Sequence, residues 1–594
     1  MAAAMRAMLL LLLLPCVLAT SGSILPPPGG PVHCSLATFD CTVTNACGSF
    51  NDRETCHASQ AVYPRTEAEL VAAVASAARE KRKAKAVAKY SHSFPKLVCP
   101  GGSDGVIIST ALLSRVVGVD VEKKQITVQS GMLLRDLVAE AAMAGLSLPA
   151  SPYFYGVTIG GLLATGAHGS SLMGRGGAVH EYVVGMRIVT PSMAGESGEV
   201  LAVVLELSAD DPDLDAAKVS LGVLGVISQV TLQLEPLFKR AVTFLTNGSD
   251  ADLAEMVDVW GLHHEFGDIM WLPGQGKVVL RKDDRVDIST PGDGLNLGMF
   301  RDRPTSDIAR SRLEEEQLQE KGSDAALCSV SRNRSMVAEQ LGFGLTNDGK
   351  SFTGYPVVGY QHHIQAYGSC QEGPDDNGHQ EQQLCPWNPR INGSFIYNPG
   401  LSVTRSKAKA FIKDVLTLRD LNPDAFCGLD MHSGILFRYV KSSTAYLGKA
   451  EDSVELDMAY YRSRVRGTPA MHADVFDELE QMALYKYGAL PHWGKSRSYA
   501  FNETWGKYPK LGEFLDVKAR FDPDGVFSSE WSDQVLGING RSPMIPGPGC
   551  AVEGLCTCIQ DSDCASGYVC SPGMLYPDAR VCSIPRPQST IAQC

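Results

Sequence analysis

No stretch constrains this chain more than residues 155–171, Tyr155-Gly156-Val157-Thr158-Ile159-Gly160-Gly161-Leu162-Leu163-Ala164-Thr165-Gly166-Ala167-His168-Gly169-Ser170-Ser171. Paired glycines remove side chains where backbone must come close to something. The interleaved Thr158, Thr165, Ser170 and Ser171 supply hydroxyls that can donate to anionic oxygens. The pattern suits a cradle for a phosphate or a flat ring. It is neither G-x-G-x-x-G nor G-x-x-x-x-G-K-[ST], so a dinucleotide fingerprint or a P-loop has no support. On this stretch alone, a glycine-rich packing turn remains the alternative.

Helix and strand patterns mix around the cradle. Thr66-Glu67-Ala68-Glu69 is a capping box, Leu70, Val74 and Ala77 follow at helical spacing, and the basic run Arg79–Lys85 closes the helix. A strand over Ala86–Ala88 comes next, then Val106–Ile108, then Val116–Val121 and Ile126–Val128, which flank Glu122-Lys123-Lys124 as a hairpin. Gly131 precedes a helix over Leu133–Met143, ended by Gly145. With 594 residues, 44% of them apolar and 20% charged, the chain has material for more than one core. Its net charge of −13 lacks the electrostatic footprint of a nucleic-acid binder.

The amino terminus reads as a secretory leader: Arg6, an apolar run Ala7–Leu14, then Val17 and Ala19 at a cleavage site. That run is shorter than the ~20 residues a membrane span needs. No later stretch is long enough either, so any membrane or wall association is expected to be peripheral. Of the 17 cysteines, Cys16 lies in the leader, four fall early (Cys34, Cys41, Cys47, Cys56) and seven crowd the end (Cys550 to Cys594). An oxidising compartment with most thiols paired is expected. The C-terminal count is odd, so at least one of those seven pairs elsewhere or stays free. Sequons at Asn247, Asn333, Asn392 and Asn502 agree with the secretory route.

Four further motifs join the cradle. Ser91-His92-Ser93 follows the strand at 86–88, and Ser220-Leu221-Gly222-Val223-Leu224-Gly225-Val226-Ile227-Ser228-Gln229 lies downstream. In this order and spacing the segments resemble the FAD-binding domain of the vanillyl-alcohol oxidase type. Leu490-Pro491-His492-Trp493-Gly494-Lys495 and Phe521-Asp522-Pro523-Asp524-Gly525-Val526-Phe527-Ser528 resemble the closing motifs of the aldonolactone oxidases. The resemblance implies an α+β fold. A leader (1–22) and a cysteine-containing segment (23–56) precede a two-subdomain FAD-binding domain (57–240), an α+β substrate or cap domain (241–540) and a cysteine-rich module (541–594).

The same resemblance assigns site residues. His92 would be attached to the 8α-methyl carbon of the flavin, although Lys89, Tyr90 and Ser91 stand where the family carries glycines. The expected FAD contacts are Ser91, Ser93, Thr158, Gly160, Gly161, Thr165, His168 and Gly169, with the backbone of Val226 and Ile227. On the substrate side, relatives use a Glu-x-Arg pair on one strand, where alternation sends both side chains to one face. Arg438 fits the arginine, but Leu436 stands where the acid would be. Lys495 would be a second cation and His492 a partner for the substrate hydroxyl. A developing negative oxygen needs such fixed cations.

The implied activity is oxidation of the C2 hydroxyl of an aldono-1,4-lactone such as L-gulono-1,4-lactone, with dioxygen accepting the electrons and hydrogen peroxide and ascorbate following. The alternatives are an oxidase of another sugar or alcohol, and a secreted carbohydrate-binding protein that has lost catalysis. No metal is expected: His263-His264-Glu265 and His362-His363 lack helical ligand spacing, and Cys556-Thr557-Cys558 suits a disulfide better than zinc. Arg310–Lys321 reads as a solvated helix, and Gln371–Gln383 as an exposed loop between Cys370 and Cys385.

Overall fold

The computed structural model describes residues 32–35, 40–43, 56–88, 95–102, 104–192, 201–297, 303–365, 383–384, 395–495 and 497–585. The leader, Ser91, His92, Ser93 and the loop carrying Cys370 and Cys385 lie outside them.

The first domain opens with β1 (Gln60–Val62) and α1 (Glu67–Arg79). Thr66 caps α1 by accepting from the Glu69 N–H at 3.1 Å, but Glu69 accepts from Arg65 N–H at 2.7 Å instead of closing a reciprocal box. Leu70 and Val74 are fully buried on its inner stripe, each contributing about 1.5–3 kcal/mol. The helix stops at Arg79. The next strand, β2 (Ala84–Val87), begins two residues before the expected start and takes in Lys85. β2 and β1 both pair in parallel with β3 (Val106–Ser109), giving the order β1-β3-β2.

A second sheet contains the expected hairpin, β4 (Val116–Asp120) and β5 (Gln125–Gln129). After α2 (Leu134–Met143) and the short α3 (Ile159–Ala164) come β6 (Val183–Ser192), β7 (Leu201–Ser208) and β8 (Val226–Gln233). All pairs are antiparallel, in the order β7-β6-β8-β5-β4.

The second domain is one eight-stranded antiparallel sheet. Its strands in chain order are β9 (Lys239–Ser249), β10 (Asp268–Leu272), β11 (Lys277–Val286), β12 (Val357–Tyr360), β13 (Gly400–Thr404), β14 (Ile435–Val440), β15 (Ser453–Met458) and β16 (Leu490–Pro491). Across the sheet they run β12-β9-β11-β10-β14-β15-β13-β16. One core holds Leu253 and Val257 of the helix Leu253–His263 and Phe411, Ile412 and Val415 of the helix Arg405–Leu421 together with Ile435, Phe437 and Tyr439 of β14. By alternation, Leu436 and Arg438 take the opposite face, toward the first domain.

The run Arg310–Lys321, read as a solvated helix, overlaps the helix Thr305–Glu320 and has a buried polar face: Arg312, Glu315 and Gln319 are each 5% exposed. Phe501, Phe514, Phe521 and Trp531 pack in the core of the first domain, so the end of the segment assigned to 241–540 returns across the FAD-binding unit. Among the described residues, six disulfides join Cys34–Cys41, Cys56–Cys99, Cys328–Cys427, Cys550–Cys556, Cys558–Cys570 and Cys564–Cys582. Six of the seven C-terminal cysteines thus pair with one another, and Cys594 lies outside the described residues.

Candidate active site

A cavity of about 1320 Å³ lies between the two domains. Thr158, Gly160, Gly161 and Thr165 line one part, Val226 and Ile227 another, and Leu436, Arg438, Asp457, His492 and Lys495 the cap side. Among the sequence-predicted residues, His168 also lines it, whereas Gly169 does not. At Gly169 an added Cβ would lie 2.5 Å from the Ser151 carbonyl oxygen, so close packing accounts for that glycine.

The cradle is built around α3. Thr158 caps it, accepting from Gly161 N–H at 3.3 Å, and Gly160 N–H donates to Ser130 O at 2.8 Å. A Cβ at Gly160 would sit 3.0 Å from Ser130 Cβ, and one at Gly161 3.0 Å from Thr158 Oγ1, so side chains there would crowd the cavity wall. Ser130 Oγ, buried on that wall, has no hydrogen-bond partner among the described residues. A gap kept free of side chains beside an unspent hydroxyl fits the phosphates and ribose of FAD.

Ser170 and Ser171 serve a different purpose from the one expected. Ser170 Oγ donates to Gly267 O at 2.6 Å and accepts from Tyr439 N–H at 3.0 Å. Ser171 N–H donates to Tyr439 O at 2.8 Å, and its hydroxyl accepts from Met173 N–H at 3.1 Å. The Ser170 hydroxyl and the Ser171 backbone N–H thus dock the cap onto the end of the cradle, and the Ser171 hydroxyl closes a local turn.

The cap-side wall follows from strand register. Arg281 pairs with Asp268, and Arg438 with Glu455 and through it Ser402; the pair Ile269–Phe437 puts Asp268 and Arg438 at adjacent places, so the charges alternate Arg, Asp, Arg, Glu across the strands. Such alternation lets each buried charge meet an opposite one. Asp268 accepts from Arg281 at 3.1 Å and from Tyr153 OH at 2.5 Å. Glu455 lies 3.6 Å from Lys449 Nζ and 3.6 Å from His168 Nε2, and accepts from Ser402 Oγ. Burial alone would raise the Glu455 carboxyl, but Lys449 and His168 outweigh it and hold it well below the usual range.

Arg438 is 5% exposed. Its Nη1 donates to His168 O at 2.8 Å and its Nη2 to Asp457 Oδ2 at 2.7 Å, while Nε–H has no acceptor among the described residues. Burial opposes its charge, but Asp457 and Glu455 more than offset that. Lys495 Nζ donates to the same Asp457 Oδ2 at 2.7 Å. The His492–Lys495 segment is anchored by Trp493, which stacks on Tyr508 at 5.2 Å and donates to Leu447 O. His492 Nδ1 accepts from Gly494 N–H at 3.1 Å, which makes Nε2 the proton-bearing nitrogen. Burial drives this imidazole well below its ordinary value, so it is a neutral donor. His168, Glu455 and His492 bring ligand atoms within 4.8 Å of one another, but Lys449 already supplies that carboxylate with a cation.

Lys85 is a cavity-wall residue that the sequence reading left in a basic run. It is 1% exposed, and its Nζ donates to Leu221 O at 3.3 Å. Burial, with Lys518 nearby, depresses it from 10.5 to about 7. The unfolded chain therefore binds the extra proton between those values, so the contribution of Lys85 to stability rises with pH across the window and is lowest below about 7. Lys85→Met should stabilise the apoprotein near pH 6 by up to about 5 kcal/mol and by far less near pH 10.5. Urea denaturation at the two pH values checks this, and an equal gain at both would refute the assignment.

Comparison with known proteins agrees with this geometry. Residues 58–196 match the family described as FAD binding domain, 399–535 the family D-arabinono-1,4-lactone oxidase, and 547–584 the L-gulonolactone oxidase 2-like C-terminal domain. Among solved structures, a solvent-stable cholesterol oxidase shares the fold with a TM-score of 0.64 at 16% identity, covering 84% of this chain and 97% of that one. 6-Hydroxy-D-nicotine oxidase from Arthrobacter nicotinovorans gives 0.51 at 15%, covering 81% and 93%. Fold and cradle thus define an FAD-dependent oxidoreductase.

Probable L-gulonolactone oxidase 1 of Arabidopsis thaliana is 47% identical over 94% of this chain and 93% of its own length. L-gulonolactone oxidase 2 of the same plant is 46% identical over 94% of each. The L-gulono-1,4-lactone dehydrogenase of Mycobacterium tuberculosis is 28% identical over 82% of this chain and 97% of its own. The chain belongs to the L-gulonolactone oxidase family.

Proposed function

We propose that the protein oxidises the C2 hydroxyl of an aldono-1,4-lactone, L-gulono-1,4-lactone or a close relative, passing the electrons to dioxygen. Two hydrogens leave the substrate, dioxygen becomes hydrogen peroxide, and the keto-lactone tautomerises to L-ascorbate. The observation that carries this reading is the convergence of two cations, Arg438 and Lys495, on one carboxylate in the wall of the cavity between cradle and cap.

Bound FAD supplies the two-electron acceptor. Arg438 and Lys495 stabilise negative charge on the C2 oxygen as its proton departs, an effect strongest in a site shielded from water. His492, a neutral donor, holds a substrate oxygen rather than taking a proton. Thr158, Gly160, Gly161, Thr165 and the backbone of Val226 and Ile227 would hold the cofactor, with His92 as its covalent anchor. The leader at 1–22 belongs to the same reading, which assigns the mature protein to the secretory route; the disulfides support an oxidising compartment.

Anaerobic addition of sugar lactones to the purified yellow protein tests the proposal. L-gulono-1,4-lactone should bleach the flavin, and admitted air should restore the colour with release of hydrogen peroxide. Bleaching by alditols alone would overturn the lactone assignment. Acid precipitation should leave the flavin on the protein, and its release would overturn the His92 bond.

A further inference from the structure

Resting on that lactone reading, and going one step deeper, we infer that Asp457 is the working carboxylate of the site, presented from the strand opposite the apolar position 436 and acting as the positioning residue for both substrate-facing cations. In the antiparallel ladder β14–β15, Leu436 is the direct partner of Asp457. Directly opposed residues share a face, with Cβ atoms about 4.5–5.5 Å apart. The row Met270, Leu436, Asp457 and Gly400 therefore carries a single charge, from the far side of the ladder.

Three donors from three parts of the chain converge on Asp457. Arg438 and Lys495 share Oδ2 at 2.7 Å each, and Asn398 Nδ2 donates to Oδ1 at 3.0 Å. Burial would raise this carboxyl, but Lys495 and Arg438 overcome it and keep it ionised below the usual range. A carboxylate so held is a poor proton acceptor and a good clamp. Gly400 leaves room for the side chains around it: a Cβ there would fall 2.7 Å from Glu455 Oε1, 3.0 Å from His492 Cβ and 3.4 Å from Lys495 Cδ.

The other cavity-side carboxylates are committed elsewhere. Asp268 is taken by Arg281 and Tyr153, Glu314 by Arg334 and Glu315 by His432, while Glu455, behind the wall, is fully buried against Lys449, His168 and Ser402. Without Asp457, two cations would face one cavity with no carboxylate between them, and Arg438 would lose one of its two anchors. A carboxylate at 436 would reach the same two cations from the neighbouring strand, which makes the placement testable by transplantation.

The holoenzyme variants D457N, L436E/D457N and L436Q/D457N decide it. D457N should lose about 10²-fold in kcat/KM for the lactone at unchanged flavin content per folded protein. L436E/D457N should recover at least about tenfold of that loss and L436Q/D457N should not, since only the former restores charge. Calorimetry on the pre-reduced enzyme gives a readout apart from turnover. D457N should weaken binding of the lactone but not of its 2-deoxy analogue, because the clamped cations address the C2 oxygen.

Full activity in D457N, equal rescue by L436E and L436Q, or equal weakening for both ligands would overturn the assignment. If D457N yields no folded holoenzyme, the L436E/D457N protein carries the test: folded and active supports the inference, folded and inactive overturns it. Failure of every lactone to bleach the wild-type flavin would refute the lactone reading instead, and the same variants would then be measured on whichever alcohol does.

Discussion

Replacing Arg438 with Ala is expected to lower lactone turnover by about 10²- to 10³-fold, or about 2.7–4 kcal/mol, with FAD content largely unchanged. The guanidinium is buried, permanently charged and anchored at both ends, to His168 O in the cradle and to Asp457 in the cap. Its Nε–H remains unspent. A donor fixed before substrate arrives needs no reorganisation as charge develops, which is why its removal costs rate more than affinity. The cradle around Gly160 and Gly161 keeps its backbone hydrogen bonds without it. Arg438→Lys should rescue little, because a single ammonium cannot span the two acceptors as the planar fork does. Steady-state kinetics beside the flavin absorbance of the same sample checks both halves. Unchanged turnover would remove Arg438 from the site, and loss of flavin in proportion to activity would make it a cradle residue.

Local chemistry made the cradle legible in the sequence: Gly160 and Gly161 beside Thr158 mean close backbone approach wherever they stand. Arg438 was legible because strand alternation assigns its face, and Lys495 because it sits in a motif. Asp457 was hidden because its relation to Leu436 is one of register, and register across a ladder is set by long-range pairing. A trace of it lay in Val454-Glu455-Leu456-Asp457, where two acids at alternate positions of an apolar strand mark a charged inner face. Lys85 was misplaced because charge alone made the basic run Arg79–Lys85 the close of the helix, whereas β2 begins at Ala84 and carries it inward. The helix Thr305–Glu320 misled for the same reason, since buried Arg312 and Glu315 look like surface charges until packing is known.

The cysteine-rich end looked like an appendage by composition, yet it forms an outer layer of the cap. The helix Ala473–Gln481 is buried on nearly every side. Glu478 accepts three backbone N–H groups, from Met574, Leu575 and Tyr576, at 2.6–2.7 Å. Gln481 exchanges a pair of hydrogen bonds with the backbone of Arg580. Polar side chains on a buried helix are costly unless fully paired, and the C-terminal segment supplies those pairs. The disulfides keep it in the shape that does so.

Arg497 is the hub of that layer, and its replacement by Leu should have the largest effect on stability. The guanidinium is 2% exposed and donates to Asp477 at 2.6 Å, Glu480 at 2.8 Å and Tyr499 OH at 2.5 Å, while lying 4.9 Å from the Tyr397 ring centre. Removing one member of a buried ion network leaves the others uncompensated, at a cost of about 3–5 kcal/mol. Burial already raises Asp477 to about 6 even with Arg497 beside it. In Arg497→Leu the carboxyl loses its main source of stabilisation as an anion, so the penalty should be largest above about pH 6 and shrink as acid neutralises it. Adding Glu480→Gln should recover part of the loss by removing one orphaned charge. Denaturant unfolding at two pH values measures all three effects, and limited proteolysis should cut the 547–584 segment first. A variant with unchanged midpoint, or with a penalty independent of pH, would show that packing around Tyr397, Tyr460 and Tyr499 holds the layer without the charge.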